Sequence, residues 1–349
     1  MNFASDNWAG AHPEIAASLT EHSTGHVPAY GASELDARVE ERLCEIFERK
    51  VAVYFVATGT AANSLSLAAV ARPGGVVFTH SESHMMDDEC GAPEFLAGGA
   101  RLCPVEGALG RMDPEALASA IERYPPEFVH AGQPMAVSIT QATEVGTAYS
   151  LEQIAEIAAI ARNHSIPLHM DGARFANAMM ALECTAAEMT WKAGVDLLSF
   201  GGTKNGCWCA EAVIVLNPDL GAELPFLRKR SAQLFSKSRF VAAQFDAYLE
   251  NDLWKQTAAH ANRMAARLAA HAERASALRL AWQPQANEVF VIMPKATQEH
   301  LTRSGVSFYP WHRPASFEGE IKDDETMARF VTSFATTESE IDSFGELIR

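Results

Sequence analysis

Apolar, strand-like runs alternate with helical patterns through the middle of this chain, and this alternation limits its fold more than any other feature. The runs lie at residues 53–56, 76–79, 136–140, 167–170, 196–200 and 212–216. A helical stretch at 61–71 follows the first. Asp113-Pro114 opens another, with proline in its first turn. Ser150, with Gln153 three residues later, forms a capping box that opens a third over 151–162. Such β/α alternation predicts an α/β fold with a mostly parallel sheet and helices on both faces. A chain of 349 residues with 48% hydrophobic content is too long for one compact core, so two domains are expected. The pattern changes around residues 225–260. Arg228-Lys229-Arg230 is followed by helical texture to about residue 280, then by short strands at 289–293 and 328–334. Thr337 and Glu340 form a capping box that opens a last helix. The expected division is a large domain over 1–245 and a smaller C-terminal α+β domain over 246–349, joined by a long helix.

Ligands of parallel α/β sheets collect at the carboxyl ends of the strands. Thr58-Gly59-Thr60, the segment from His80 to His84, Asp171 and Lys204 all fall just after an expected strand. Lys204 sits in Ser199-Phe200-Gly201-Gly202-Thr203-Lys204-Asn205-Gly206. Asp171 lies 33 residues earlier, in Met170-Asp171-Gly172-Ala173-Arg174. Pyridoxal phosphate (PLP) requires a lysine amine for its Schiff base and an acidic partner for its pyridinium nitrogen, and this pair offers both. An unpaired carboxylate at the end of an apolar strand is costly. Pairing of Asp171 with Arg174 alone is the plain structural alternative. Thr58-Gly59-Thr60 begins a helix after a strand, where free backbone N–H groups suit a phosphate; a simple N-capped helix is the alternative. Neither a dinucleotide G-x-G-x-x-G nor a Walker A spacing occurs.

His80-Ser81-Glu82-Ser83-His84-Met85-Met86-Asp87-Asp88-Glu89 is dense in ligand-type groups. Without a companion histidine-rich motif it does not read as a metal site. With PLP in view, one imidazole stacks on the pyridine ring and the carboxylates orient it. His130 lies shortly before the run at 136–140 and is expected to reach the same rim. His169 and His312 are isolated and read as structural residues. Arg329 sits within an apolar strand and needs an anion, either a substrate carboxylate held by its fork or a structural partner. Cys207-Trp208-Cys209 has neither zinc nor thioredoxin spacing, and its cysteines are expected to pack as small buried residues. Six scattered cysteines fit a reducing compartment, and a net charge of −16 argues against nucleic-acid partners. The N-terminus lacks signal-peptide character, and no apolar run approaches the roughly 20 residues of a membrane helix. A soluble, cytoplasmic protein is expected.

Taken together these residues resemble the PLP-dependent L-threonine aldolases, which have the aminotransferase-like fold (fold type I). The likeness covers Ser5-Asp6-Asn7, Tyr30-Gly31, the segment from Thr58 to Asn63, His84 through Ala92, Gln141-Ala142-Thr143-Glu144-Val145-Gly146, and Met170 to Arg174. It continues through Thr190-Trp191-Lys192-Ala193-Gly194-Val195-Asp196, Ser199 to Gly206 and Arg329-Phe330-Val331-Thr332. It is similar to the bacterial low-specificity branch, which includes the phenylserine aldolases; Phe308-Tyr309 and the stretch from Arg329 to Thr337 resemble the latter. The resemblance implies a seven-stranded sheet in the large domain and roles for individual residues. Lys204 is the Schiff-base lysine, and Thr203 flanks it in the cofactor site. Asp171 binds the pyridinium nitrogen, and Arg174 the region of the ring hydroxyl. Gly59 and Thr60 bind the phosphate, and His84 stacks on the ring. Ser5 and Arg329 hold the substrate carboxylate. Lys229 and Tyr30 act across a subunit interface, in a homodimer or homotetramer.

Many threonine aldolases carry a histidine near the position of Thr143. Its absence leaves the proton acceptor for the substrate hydroxyl to His130 or His84, with Asp88 assisting, and predicts weak discrimination at Cβ. The implied reaction converts L-threonine, L-allo-threonine or phenylserine to glycine and an aldehyde. β-Elimination or transamination on the same fold stays open as an alternative, and so does a non-catalytic PLP-binding or amino-acid-binding scaffold.

Overall fold

The apolar runs pair into a seven-stranded sheet, and its long buried strands are near-continuously hydrophobic because helices cover both faces. The structure, a computed structural model, describes residues 1–349. The strands are β1 (Ala52–Val56), β2 (Gly75–His80), β3 (Arg101–Val105), β4 (Gln133–Thr140), β5 (Leu168–Gly172), β6 (Leu197–Gly201) and β7 (Glu211–Val215). Their order across the sheet is β1-β7-β6-β5-β4-β2-β3. Strands β2 to β6 pair in parallel, and β7 runs antiparallel to both of its neighbours. The sequence reading missed β3. It is an edge strand with Pro104 inside it and a partly exposed burial pattern, and proline is tolerated only at such an edge.

A second, antiparallel sheet has the order β10-β11-β9-β8, from β8 (Arg279–Leu280), β9 (Glu288–Pro294), β10 (Tyr309–Trp311) and β11 (Glu325–Val331). The expected helical texture to about 280 therefore ends earlier, at Arg274, and the expected strand at 328–334 begins three residues sooner. The 22-residue helix Leu253–Arg274 joins the two cores. Leu253, Trp254 and Ala258 pack with the large sheet, while Met264, Leu268 and Ala272 pack with the small one. The first residues also join the small core: Phe3 packs among Leu268, Phe330 and Phe344, and Val331 N–H donates to the Phe3 carbonyl. No helix is long and apolar enough to cross a membrane.

Register sets the rim. Thr140 pairs with Asp171, Asp171 with Ser199, and Gly201 with Glu211, which also faces Val56. Beneath that rim His169 ties three strands together. Ser138 Oγ lies 2.8 Å from its Nδ1 and Ser199 Oγ lies 2.9 Å from its Nε2. Burial pushes His169 down to about 4, so the ring is neutral and works as a structural clamp.

Candidate active site

Lys204 lies in a short 3₁₀ turn directly after β6, and the turn is held from below by β7. Thr203 N–H donates to Glu211 Oε1 at 3.3 Å, and Ala210 N–H donates to Thr203 Oγ1 at 3.2 Å. A cavity of about 240 Å³ opens above this turn. Its walls include Lys204, Thr203, Asp171, His84 and the Thr58-Gly59-Thr60 segment. Helix Gly59–Ala69 begins there, capped by Thr58, whose hydroxyl accepts from Ala61 N–H at 3.1 Å. The first N–H groups of that helix remain free to bind an anion.

Asp171 is fully buried at the floor. Its Oδ2 accepts from Asn63 Nδ2 at 2.8 Å, and its Oδ1 accepts from Ala173 N–H at 3.0 Å. Its carboxyl is pushed up by burial and by the neighbouring Glu89 and Glu144 carboxylates. The simple pairing with Arg174 does not form. Arg174 turns away to a bidentate contact with Asp6, Nε to Oδ2 at 2.8 Å and Nη2 to Oδ1 at 3.2 Å, and it approaches Glu288 at 3.3 Å. Asp171 is thus a buried carboxyl group without a cation of its own, which a pyridinium nitrogen would supply.

His84 forms a wall of the same cavity, and its Nδ1 bonds Glu89 Oε1 at 2.9 Å. That hydrogen bond outweighs burial and raises its basicity. On its other side lies a second cavity of about 340 Å³, walled by His84, Asp88, Glu144, Trp311 and His312. Arg329 borders this region on β11. Its guanidinium stacks 4.2 Å from the Trp311 ring centroid, contacts Glu288 at 3.5 Å and leaves its buried Nε without a partner. His80 is spent on its own turn, accepting from Glu82 N–H at 3.0 Å.

Several expected residues lie elsewhere. His130 stands in the turn before the amino end of β4, at the opposite edge of the sheet from Asp171, exposed and packed on Phe128. Eight strand residues separate the two edges, so within its own chain it does not reach the rim. Thr143 is buried and bonds Thr147 Oγ1 at 2.8 Å. Ser5 caps the 3₁₀ turn Asp6–Trp8, accepting from Asn7 N–H at 3.1 Å, and Asn7 reaches the Lys204 cavity. Tyr30 and Lys229 are exposed and meet each other, with Nζ 5.6 Å from the ring centroid. Of the Cys207-Trp208-Cys209 trio, Cys207 is buried, Cys209 half-buried and Trp208 exposed; all six cysteines are free thiols.

Sequence reasoning missed Glu211 and Asn63 as site residues. Glu211 is buried beside Lys204 and pushed up to about 7 by burial. Asn63 Nδ2 bridges Asp171 Oδ2 and Glu89 Oε1, both at 2.8 Å. Its place in the first turns of the helix after Thr58-Gly59-Thr60 was the available signal.

A lysine turn, a buried unpaired aspartate and a phosphate-ready helix start, all on one rim of this sheet, define a fold-type-I PLP enzyme. The comparisons agree. The profile of the β-eliminating lyase family matches residues 2–296, and the chain belongs to that family. It is 39% identical to the low specificity L-threonine aldolase of Pseudomonas aeruginosa, over 100% of this chain and 96% of that protein. It is 37% identical to the low specificity L-threonine aldolase of a Pseudomonas species, over 100% and 97%. The solved threonine aldolase of Leishmania major superposes with a TM-score of 0.91 at 28% identity, covering 99% of this chain and 98% of that one. PLP is the cofactor of this family, and the residues of the Lys204 cavity fit it.

Proposed function

We propose that this protein cleaves L-β-hydroxy-α-amino acids between Cα and Cβ, giving glycine and an aldehyde, with L-threonine, L-allo-threonine and phenylserine among its substrates. One observation carries the reading. The cavity of Lys204 and the unpaired Asp171 shares its His84 wall with a second cavity of a size to take a β-substituent, whose Trp311 wall stacks on Arg329. Full-length similarity to two proteins named as L-threonine aldolases supports it.

When bound, PLP accepts the electron pair released as Cα–Cβ breaks. Lys204 would supply the amine that holds the cofactor. Asp171 keeps the ring nitrogen protonated. Arg329, with Ser5, would grip the α-carboxylate and so orient the substrate, and His84 would pack against the bound cofactor. Trp311 and Pro310 wall the second cavity and suit an aryl group as well as a methyl. Nothing at Thr143 reaches this space, which supports weak discrimination at Cβ.

Tyr30 and Lys229, exposed in one chain, reach toward the cofactor phosphate of a second copy in a homodimer or homotetramer. The free thiols fit work in the cytoplasm. The test is product analysis across threonine, allo-threonine and both phenylserine diastereomers. Aldehyde with glycine is expected; ammonia with a keto acid would assign the protein to β-elimination instead. Sedimentation of wild type and Lys229→Ala, with cofactor retention, tests the shared site.

A further inference from the structure

With Thr143 turned inward and His130 at the far edge, the acceptor of the β-hydroxyl proton has to come from the walls of the second cavity. Asp87, Asp88 and His312 are exposed, and the His312 ring is stacked on Trp311. Glu82 already accepts from Ala315 N–H at 2.9 Å. His84 is tied to Glu89, which favours its protonated form, a donor rather than an acceptor. Glu144 differs from all of these. It is only 8% exposed, it lines this cavity, and neither carboxylate oxygen has a hydrogen-bond partner within the chain.

Its backbone is fixed. Thr143 N–H donates to Thr147 O at 2.9 Å, Gly146 N–H to Thr143 O at 3.0 Å, and Trp282 Nε1 to Val145 O at 2.9 Å. Thr143 and Glu144 therefore divide the turn, one side chain packed inward and the next lining the cavity. Burial alone would push Glu144 up, but Lys204, Arg174, His84 and Arg329 more than offset it and hold the carboxyl below the usual range. The groups that surround the reacting atoms all act on this one carboxylate, which is ionised at neutral pH.

We propose that Glu144 accepts the proton of the substrate β-hydroxyl during Cα–Cβ cleavage. The inference rests on the aldolase reading above. The O–H proton passes to the carboxylate, the O–H electron pair becomes the π bond of the aldehyde, and the Cα–Cβ pair stays with Cα, where the bound cofactor draws it off. Protonation at Cα then completes glycine. His84, as a donor, orients the same hydroxyl.

The test uses the holoenzyme and the isosteric Glu144→Gln variant, with two readouts. One is retro-aldol turnover. The other is exchange of the glycine α-proton in deuterium oxide, which uses Lys204, Asp171 and Arg329 but no β-hydroxyl. Cleavage kcat is expected to fall about 100-fold. Glycine exchange and the visible absorbance of the bound cofactor should stay within about threefold of wild type, the acid limb of the kcat profile should disappear, and Glu144→Asp should recover part of the loss. Cleavage kept within threefold in Glu144→Gln, or glycine exchange falling in parallel with cleavage, overturns the assignment. A wild-type enzyme that exchanges glycine but cleaves no β-hydroxy amino acid overturns the aldolase reading, and this assignment with it.

Discussion

Oε1 of Glu89 lies 2.9 Å from Nδ1 of His84 and accepts Asn63 Nδ2 at 2.8 Å, so one carboxylate links the cavity wall to the floor at Asp171. The chain His84–Glu89–Asn63–Asp171 is a buried network in which each member is oriented by the next. It explains how one short segment after β2 and one helix after β1 act on the same cofactor ring.

Glu89→Gln removes the negative charge that raises His84. The His84 ring should then titrate at lower pH than in wild type, because the largest contribution opposing burial is gone. An NMR titration of the His84 ring in cofactor-free wild type and variant checks this. An unchanged midpoint would show that Glu89 does not control the ring.

Asp171→Asn keeps the shape of the floor but not its charge. Asn63 loses its anionic acceptor, and a ring nitrogen above would no longer be held protonated. Turnover should drop by roughly 100- to 1,000-fold, the scale for removing one preorganised electrostatic partner. Cofactor absorbance should persist because Lys204 is untouched. A variant within tenfold of wild type would remove Asp171 from the assigned role.

The rim was legible in the sequence because each of its motifs follows an apolar run: Thr58-Gly59-Thr60 after β1, His84 after β2, Asp171 ending β5 and Lys204 after β6. Glu211 was not legible. It opens β7, the one antiparallel strand, so it enters the rim from the opposite chain direction, and strand direction is invisible in an apolar run. His130 misled for a related reason. Closeness in sequence to β4 does not say which end of the strand a residue joins. The partners of Arg174 were hidden as well, since Asp6 and Glu288 lie 168 residues before it and 114 after it.

Arg174→Ala should destabilise the protein by about 3–5 kcal/mol, since it leaves Asp6 and Glu288 buried without their shared cation. Asp6 ties the amino-terminal turn to the sheet through Arg174 and to Asn287 of the small sheet's approach at 3.1 Å. Urea unfolding of the cofactor-free protein measures the loss. A change below 1 kcal/mol would mean that the pair contributes little to the fold.

The buried pair Glu211 and His169 makes opposed contributions to stability over nearly the same pH range. Glu211 titrates at about 7 in the folded chain against 4.5 ordinarily. As pH rises between those values the unfolded chain releases a proton that the folded chain keeps, so stability falls. His169 titrates at about 4 folded against 6.5 ordinarily. As pH rises through that interval the unfolded chain gives up a proton that the folded chain never held, so stability rises. Each effect amounts to about 2–3 kcal/mol between pH 4.5 and 6.5. In wild type the two largely cancel. Glu211→Gln should therefore make the cofactor-free protein gain stability by about that amount on going from pH 4.5 to 6.5, and His169→Gln should make it lose a similar amount. The double variant should return to the wild-type difference. Urea midpoints at the two pH values decide the matter: single variants that keep the wild-type difference would show that one or both groups titrate normally in the fold.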